Sequence, residues 1–292
     1  MIKALLLLYA IWGFNWVVMK QANAFFPPIT FSCYRFLLAS VVLLAVNVFL
    51  RLPVPPRRYW PWIVATGILQ IAVNNGGIQM GTVSLGAGMV AVINYSMPVW
   101  MAILAYFILH EELTKRKLAG IAVCMLGLAV LMNVDTVGSV SGLVITVIAA
   151  VAWAVAGIIV KKQNQLYHGR DCTMIQYTTW QIVVGAGVLF VYSLWFEPGT
   201  VVWTPMAVAC LGYNGFLASA VAFFLWNHVL THMEAAKAGV AILGVPVVGV
   251  ICGVLVLGEQ LHWNSAVGMA LILGGIVCIV APKRMKGRLP VK

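Results

Sequence analysis

The sequence predicts an all-α membrane protein: ten transmembrane helices arranged as two inverted five-helix repeats, with both termini in the cytoplasm. Three observations predict it. Of 292 residues, 63% are hydrophobic and only 9% charged, where a soluble domain carries about 25% charged residues. The apolar residues gather in long runs between short polar or Pro/Gly breaks. The second half of the chain also repeats the pattern of the first. Too few polar side chains remain to cover a water-facing surface, and the same composition excludes disorder.

Taken in order, the runs lie near 3–20, 29–50, 60–80, 84–108, 116–134, 139–160, 173–195, 204–228, 235–257 and 263–281. A spanning helix takes about 20 residues, so the ten use most of the chain and leave short loops. Clear breaks fall at Pro27-Pro28 and over 52–58, 111–117, 135–138 and 161–171. Those at 81–86 and 232–237 are softer, and losing one would leave nine spans. A transmembrane β-barrel needs alternating segments of roughly 10 residues, and these runs are apolar throughout. Lys3, the run Leu5-Leu6-Leu7-Leu8 and Ala22-Asn23-Ala24 imitate a signal peptide. Asn15 and Lys20 interrupt that stretch and another span follows at once, so the first run is read as a span.

The formal charge is +11, from 18 Lys and Arg against 7 Asp and Glu. With the N-terminus in the cytoplasm, Lys3, Arg51, Arg57, Arg58, Lys115, Arg116, Lys117, Lys161, Lys162, Arg170, Lys237 and the five cations between Lys283 and Lys292 all face the cytoplasm. Lys20 alone lies outside, and Arg35 falls within the second span. Such asymmetry orients a membrane protein. It favours an even number of spans, hence ten, and it removes the nucleic-acid reading of a basic chain.

Trp12 precedes Lys20 by eight residues, and Trp153 precedes Lys161 by eight. Pro98 precedes Glu111 by 13, as Pro246 precedes Glu259. Gly120 and Gly127 follow Glu111 at the spacing at which Gly268 and Gly275 follow Glu259. The offset is 141 early and 148 late, and this correspondence places Gln176 opposite Arg35. A repeat of five spans is odd, so the halves face opposite ways. The expected units are residues 1–134, residues 135–282 and a basic cytoplasmic tail over 283–292. Inverted repeats mark secondary transporters, with the substrate between the halves near the midplane.

On these residues the chain resembles the EamA-type drug/metabolite transporter family over about 3–281. The resemblance rests on Trp12-Gly13, on Arg35 in FSCYRFLLAS, on Pro98 and Pro246, on the Glu-x-Leu pairs Glu111/Leu113 and Glu259/Leu261, and on Gly120 and Gly268. It implies a ten-span exporter of amino acids, other metabolites or drugs, in the cytoplasmic membrane. It leaves the substrate open.

Trp12, Asn15, Trp16 and Met19 share one face of the first span by their i, i+3, i+4, i+7 spacing. Gln70 and Asn74 form a stripe on the third span, as do Asn75 and Gln79. Asn94-Tyr95 precede Pro98, Trp153 opens the second repeat, and Tyr213-Asn214 begin a bracket around the eighth span. Amides in lipid often hydrogen-bond a neighbouring helix. As a group they suit a polar cavity walled by aromatics. The expected substrate-binding residues are therefore Trp12, Asn15, Trp16, Asn75, Gln79, Asn94, Tyr95, Trp153, Tyr213 and Asn214. Arg35, Pro98 and Pro246 are expected to gate or brace the fold: an intramembrane Arg pairs or lines a wet cavity, and a helix proline removes a backbone hydrogen bond.

No Asp or Glu falls mid-span, which favours facilitated transport or exchange over a proton relay. His110, His228 and Glu234 are the alternative proton carriers. The six cysteines show no metal spacing, no P-loop is present, and no clustered His, Asp or Glu suggests an enzyme. No cofactor, metal or catalytic residue is expected. The partners expected are a small-molecule substrate and the lipid bilayer, with no nucleic acid, in a monomer or weak homo-oligomer.

Overall fold

The structure is a computed structural model that describes residues 1–85, 87–132, 139–197, 199–258 and 262–280. Glu259, Leu261 and the tail over 283–292 lie outside the described residues. Helices α1 (Ile2–Ala22) and α2 (Pro28–Phe49) open the chain. Helix α3 runs as Trp60–Thr66, a π-helical stretch Gly67–Val73, and Asn74–Leu85. Helix α4 is broken into Ala87–Asn94 and Met97–Leu109, and α5 is Lys115–Met132. Helices α6 (Val140–Tyr167) and α7 (Met174–Phe196) follow. Helix α8 runs as Pro205–Tyr213, a π-helical stretch Asn214–Val221, and Ala222–His232. Helix α9 is broken into Ala235–Ala241 and Gly244–Leu257, and α10 is Trp263–Val280.

Local chemistry explains many of the ends. Pro28 and Pro205 sit in first turns, where the missing N–H has no intrahelical partner. The Glu197 carboxylate accepts from the backbone N–H groups of Ile29 (3.2 Å) and Thr30 (2.6 Å) and so caps α2. Thr173 and Gln176 form a capping box on α7. Left-handed residues His110, His168 and Gly258 end α4, α6 and α9.

Among the described residues, seven helices are long and apolar enough to cross a membrane: α1, α2, Met89–Leu109 within α4, α6, α7, α8 and Ala235–Val256 within α9. The other three fall short for visible reasons. Helix α3 carries Gln70, Asn74, Asn75 and Gln79, and α5 opens on Lys115, Arg116 and Lys117. Helix α10 is apolar but shorter.

The packing has a regular plan. Helix α5 lies along α10, and α2 along α7. Helix α1 packs on α9 as α6 packs on α4; α3 packs on α6 as α8 packs on α1. The π-helical stretch of α3 meets α7, and that of α8 meets α2. Exchanging α1–α5 for α6–α10 in order leaves this set of pairings unchanged.

Close backbone approach locks the last two contacts. A Cβ at Gly67 would lie 3.0 Å from Val184 Cβ, and one at Gly215 would lie 2.7 Å from Leu38 Cγ. These paired contacts correct the sequence correspondence in this region. Gly67 and Gly215 are 148 residues apart, whereas Leu38 and Val184 are 146 apart. The residue matching Arg35 is therefore Gln181, in QIVVGA against RFLLAS, and not Gln176. Gln176 belongs to the first turn of α7, where its side chain caps the helix and donates to Pro53 O at 2.7 Å.

Candidate functional site

A cavity of about 90 Å³ lies where α1, α2, α3, α4, α6 and α8 converge. Helix α1 contributes Trp12, Asn15, Trp16 and Met19, the face its spacing defined. Helix α2 contributes Arg35, α3 contributes Asn74, Asn75, Ile78 and Gln79, and α4 contributes Val90, Ala91, Asn94 and Tyr95. From the second half come Trp153, Ala218 and Phe223.

The aromatic walls meet edge-on or tilted. Trp12 lies 6.1 Å from Trp153 and 5.5 Å from Phe223 between ring centroids, and Tyr95 lies 6.4 Å from Trp16 and 6.3 Å from Trp153. Such contacts hold large rigid side chains at the wall.

The polar wall is a network of amides around one cation. Arg35, 5% exposed, donates from Nη2 to Asn75 Oδ1 and from Nη1 to Asn214 Oδ1 at 3.3 Å. Asn75 Nδ2 in turn donates to Gln70 O (2.9 Å) and Asn214 Nδ2 to Cys210 O (3.2 Å). Asn74 Nδ2 donates to Asn94 Oδ1 (2.8 Å) and Ala149 O (2.9 Å), tying α3 to α4 and α6. Gln79 Nε2 donates to Ser32 Oγ at 3.3 Å. Two buried atoms on this wall have no hydrogen-bond partner among the described residues: Arg35 Nε and Asn15 Oδ1.

The π-helical stretches position this network, and sequence reasoning missed them. Each offers a backbone carbonyl to a cavity residue: Gln70 O to Asn75, and Ala218 O to the Trp12 indole at 2.9 Å. The two carbonyls stand 148 residues apart, at matched positions. Wide π turns are frequent at functional sites. Nothing in GILQIAV or NGFLASAV distinguishes them from ordinary helix.

Eight of the ten expected substrate-binding residues line this cavity: Trp12, Asn15, Trp16, Asn75, Gln79, Asn94, Tyr95 and Trp153. Tyr213 does not. Its hydroxyl donates to Ile11 O at 2.7 Å and its ring packs on Phe14, bracing α8 on α1. Asn214 stands behind Arg35 rather than at the wall. Arg35 itself does line the cavity. Pro98 and Pro246 do not; each sits in the first turn after the break in its helix, and Pro98 faces Gly239 of α9. Sequence reasoning left out Asn74, although the Gln70/Asn74 stripe signalled it. The apolar liners Ile78, Val90, Ala91, Ala218 and Phe223 carried no signal.

The two ends of the cavity differ. Toward Lys20 and Asn23, Trp16, Met19, Ile78 and Gln79 also line a second space of about 340 Å³, bounded by Gly249 and Gly253. At the other end of α1, the Tyr9 hydroxyl donates to Ala241 O at 2.6 Å. An ionic cluster lies at the ends of α4, α6 and α8. Glu111 accepts from the N–H groups of Ala235 (2.7 Å) and Ala236 (3.3 Å) and lies 3.8 Å from Lys161 Nζ. Glu234 pairs with Lys117 at 2.5 Å and Lys237 at 2.8 Å. Burial pushes the Glu234 carboxyl up, but hydrogen bonds and charge from Lys117 and Lys237 outweigh it and hold it below its ordinary value. Among the described residues, no group of His, Cys, Asp and Glu could hold a metal ion.

Apolar helices around an amide-lined cavity define a multi-pass membrane protein with a small-molecule-sized site. The comparisons with known proteins agree. The EamA-like transporter family matches residues 1–133 and 140–281, and the chain belongs to that family. It is similar to an uncharacterized transporter of Bacillus subtilis, YoaV, at 29% identity over 91% of each chain. It is 27% identical to a probable amino-acid metabolite efflux pump of Salmonella typhimurium, covering 93% of this chain and 91% of that one. The Escherichia coli protein of the same description is 26% identical, with the same coverage. A crystal structure of a further protein, 18% identical, shares the fold with a TM-score of 0.80 over 95% of both chains. The family and these named relatives are transporters, not enzymes.

Proposed function

We propose that the protein exports amino acids or related small metabolites across the cytoplasmic membrane by alternating access. The observation that carries this reading is the cavity itself: a cation and five amides facing five aromatic side chains, walled by helices of both halves. In this reading ten helices span the membrane as two inverted units, residues 1–134 and 135–282, with both termini in the cytoplasm. The exchange symmetry of the helix pairings supports the two units, and the distribution of Lys and Arg supports the orientation. The relatives named as amino-acid metabolite efflux pumps support the cargo.

In the described shape the cavity leads toward Lys20, which this reading puts on the outer face. The ionic cluster around Glu111, Lys161 and Glu234 closes the cytoplasmic end. Inward opening then requires α4 and α9 to part, with those ion pairs broken or exchanged. Among the described cavity residues there is no carboxylate or histidine. This favours facilitated transport or exchange over proton coupling.

The test is flux in proteoliposomes loaded with labelled amino acids, one at a time. Saturable efflux of at least one supports the reading. Efflux of purines or amphipathic dyes alone would move the cargo to those compounds and keep the fold. Efflux that collapses when only the pH gradient is dissipated would replace exchange by proton coupling.

A further inference from the structure

The cavity holds a cation without a counter-charge. Arg35 is buried at the wall, and among the described residues no carboxylate reaches it. Its two partners, Asn75 and Asn214, offer neutral amide oxygens. A guanidinium has five N–H donors, and the Nε donor is buried and unpartnered. An intramembrane cation is costly, and it normally pairs or faces a wet space. Because Arg35 lines the space where cargo would sit, a permanent carboxylate partner there would compete with any anionic cargo.

We propose that Arg35 is the carboxylate-binding group of the cavity, and that Asn15 accepts the ammonium of the same molecule. This deepens the amino-acid reading above and rests on it. Arg35 is held for the task. Asn75 and Asn214 each hold the guanidinium with the amide oxygen, while the amide nitrogen is anchored to a backbone carbonyl. The guanidinium is thus oriented before cargo arrives, and little ordering is left to do on binding. Asn15 is 8% exposed, and its buried Oδ1 has no donor; an ammonium supplies three. Trp12, Trp16 and Trp153 line the same cavity, where they receive an apolar body and favour a nearby cation through their ring faces.

Only one half is equipped in this way. The residue matching Arg35 is Gln181, which donates to Gln70 Oε1 at 2.8 Å and accepts from Asn227 Nδ2 at 2.8 Å. A cargo therefore meets one carboxylate site, so a single carboxylate is the requirement. Cationic amines and neutral amides of the same shape are rejected.

The test alters the ligand before the protein. Each of the twenty protein amino acids is titrated into the purified full-length chain, with thermal stabilisation as readout. For those that stabilise it, the C-terminal amide, the decarboxylated amine and the desamino acid are titrated alongside. The amide and amine should bind more than about tenfold more weakly: the amine leaves the buried Arg35 donor unpaired, and the amide offers it one neutral oxygen in place of a charged partner with two. The desamino acid should fall between. Arg35→Gln should bring the acid to the level of its amide, and Arg35→Lys should restore part of the difference. Asn15→Leu should abolish the preference for the amino acid over its desamino acid.

An amide or amine that binds as well as the acid overturns the proposal, as does a folded Arg35→Gln protein with unchanged discrimination. If no amino acid or desamino acid binds, the carboxylate site is wrong. Flux of a neutral or cationic compound would then leave the transporter standing without it. Binding of the acid through Arg35 without any effect of Asn15→Leu overturns the ammonium half alone.

Discussion

In the first half, Asn94 ends the first segment of α4 and Tyr95 opens the break, and both line the cavity. Matched positions 148 residues on, Ile242 and Leu243, fall at the break in α9 and are wholly buried in apolar core. The same contrast recurs elsewhere. Asn75 of α3 is matched by Phe223 of α8, and Gln70 by Ala218. Arg35 is matched by Gln181. The backbone plan is shared, down to the broken helix and the π-helical stretch, but the hydrogen-bonding wall comes almost wholly from α1–α4. The difference teaches that fold and site separate in this molecule. Paired helices need only shape and small residues at crossings, and such a scaffold tolerates polar chemistry in one half and dry packing in the other.

Exchanging residues across the halves should break the comparison most sharply. Ile242→Asn places an amide in a dry core and removes buried apolar surface, so it should lower stability by about 2–5 kcal/mol. The reciprocal Asn94→Leu leaves the Asn74 amide its bond to Ala149 O and should cost about 1 kcal/mol or less. Thermal unfolding in detergent compares the two, and equal losses would deny the asymmetry.

Next in size is Asn75→Ala. It removes a partner of a buried cation and should cost about 1–3 kcal/mol, with loss of amino-acid flux. The matched Phe223→Leu should widen the cavity, move the cargo size range upward and cost about 1 kcal/mol. Flux of a short and a long amino acid through both variants sharpens the distinction.

Smaller still is the capping of α9 from α4. Glu111→Ala leaves the Ala235 and Ala236 N–H groups without the carboxylate and should cost about 1 kcal/mol. Hydrogen exchange should rise first at 235–241.

The smallest effect is on pH. The Glu234 carboxyl is held below its ordinary value of 4.5, so its contribution is present above that pH and fades as pH falls through the lowered value. Acid unfolding of Glu234→Gln should lack this component. Unchanged acid sensitivity would show that the Lys117 and Lys237 pairs do not stabilise this end.

Much of the first-half site was legible. The spacing of Trp12, Asn15, Trp16 and Met19 set one helix face, and that face is the cavity wall. Asn75, Gln79, Asn94 and Tyr95 were legible because amides inside apolar runs need a reason. The same logic misplaced Tyr213, whose hydroxyl satisfies a backbone carbonyl of α1. It also could not separate Asn75, which faces the cavity, from Asn227, which donates to Thr178 Oγ1 and Gln181 Oε1 in packed protein. Both are buried amides in apolar helices. Neighbours that lie far along the chain decide which one meets open space. The offset between halves also differs at α2 and α7, because a fixed shift from α1 ignores the longer end of α6, which runs 14 residues past Trp153 where α1 runs 10 past Trp12.

Composition and order alone determined that the chain is a helical membrane protein, where its apolar runs lie and to which family it belongs. Those properties sum over many residues or sit in local motifs, so no single contact is needed to read them. Tertiary structure decided where the π-helical stretches fall, which carbonyls they present, and that Arg35 faces a cavity with no carboxylate partner. A helix apolar on every side has no face marked in advance. Its polar residues acquire a direction only when other helices close around it.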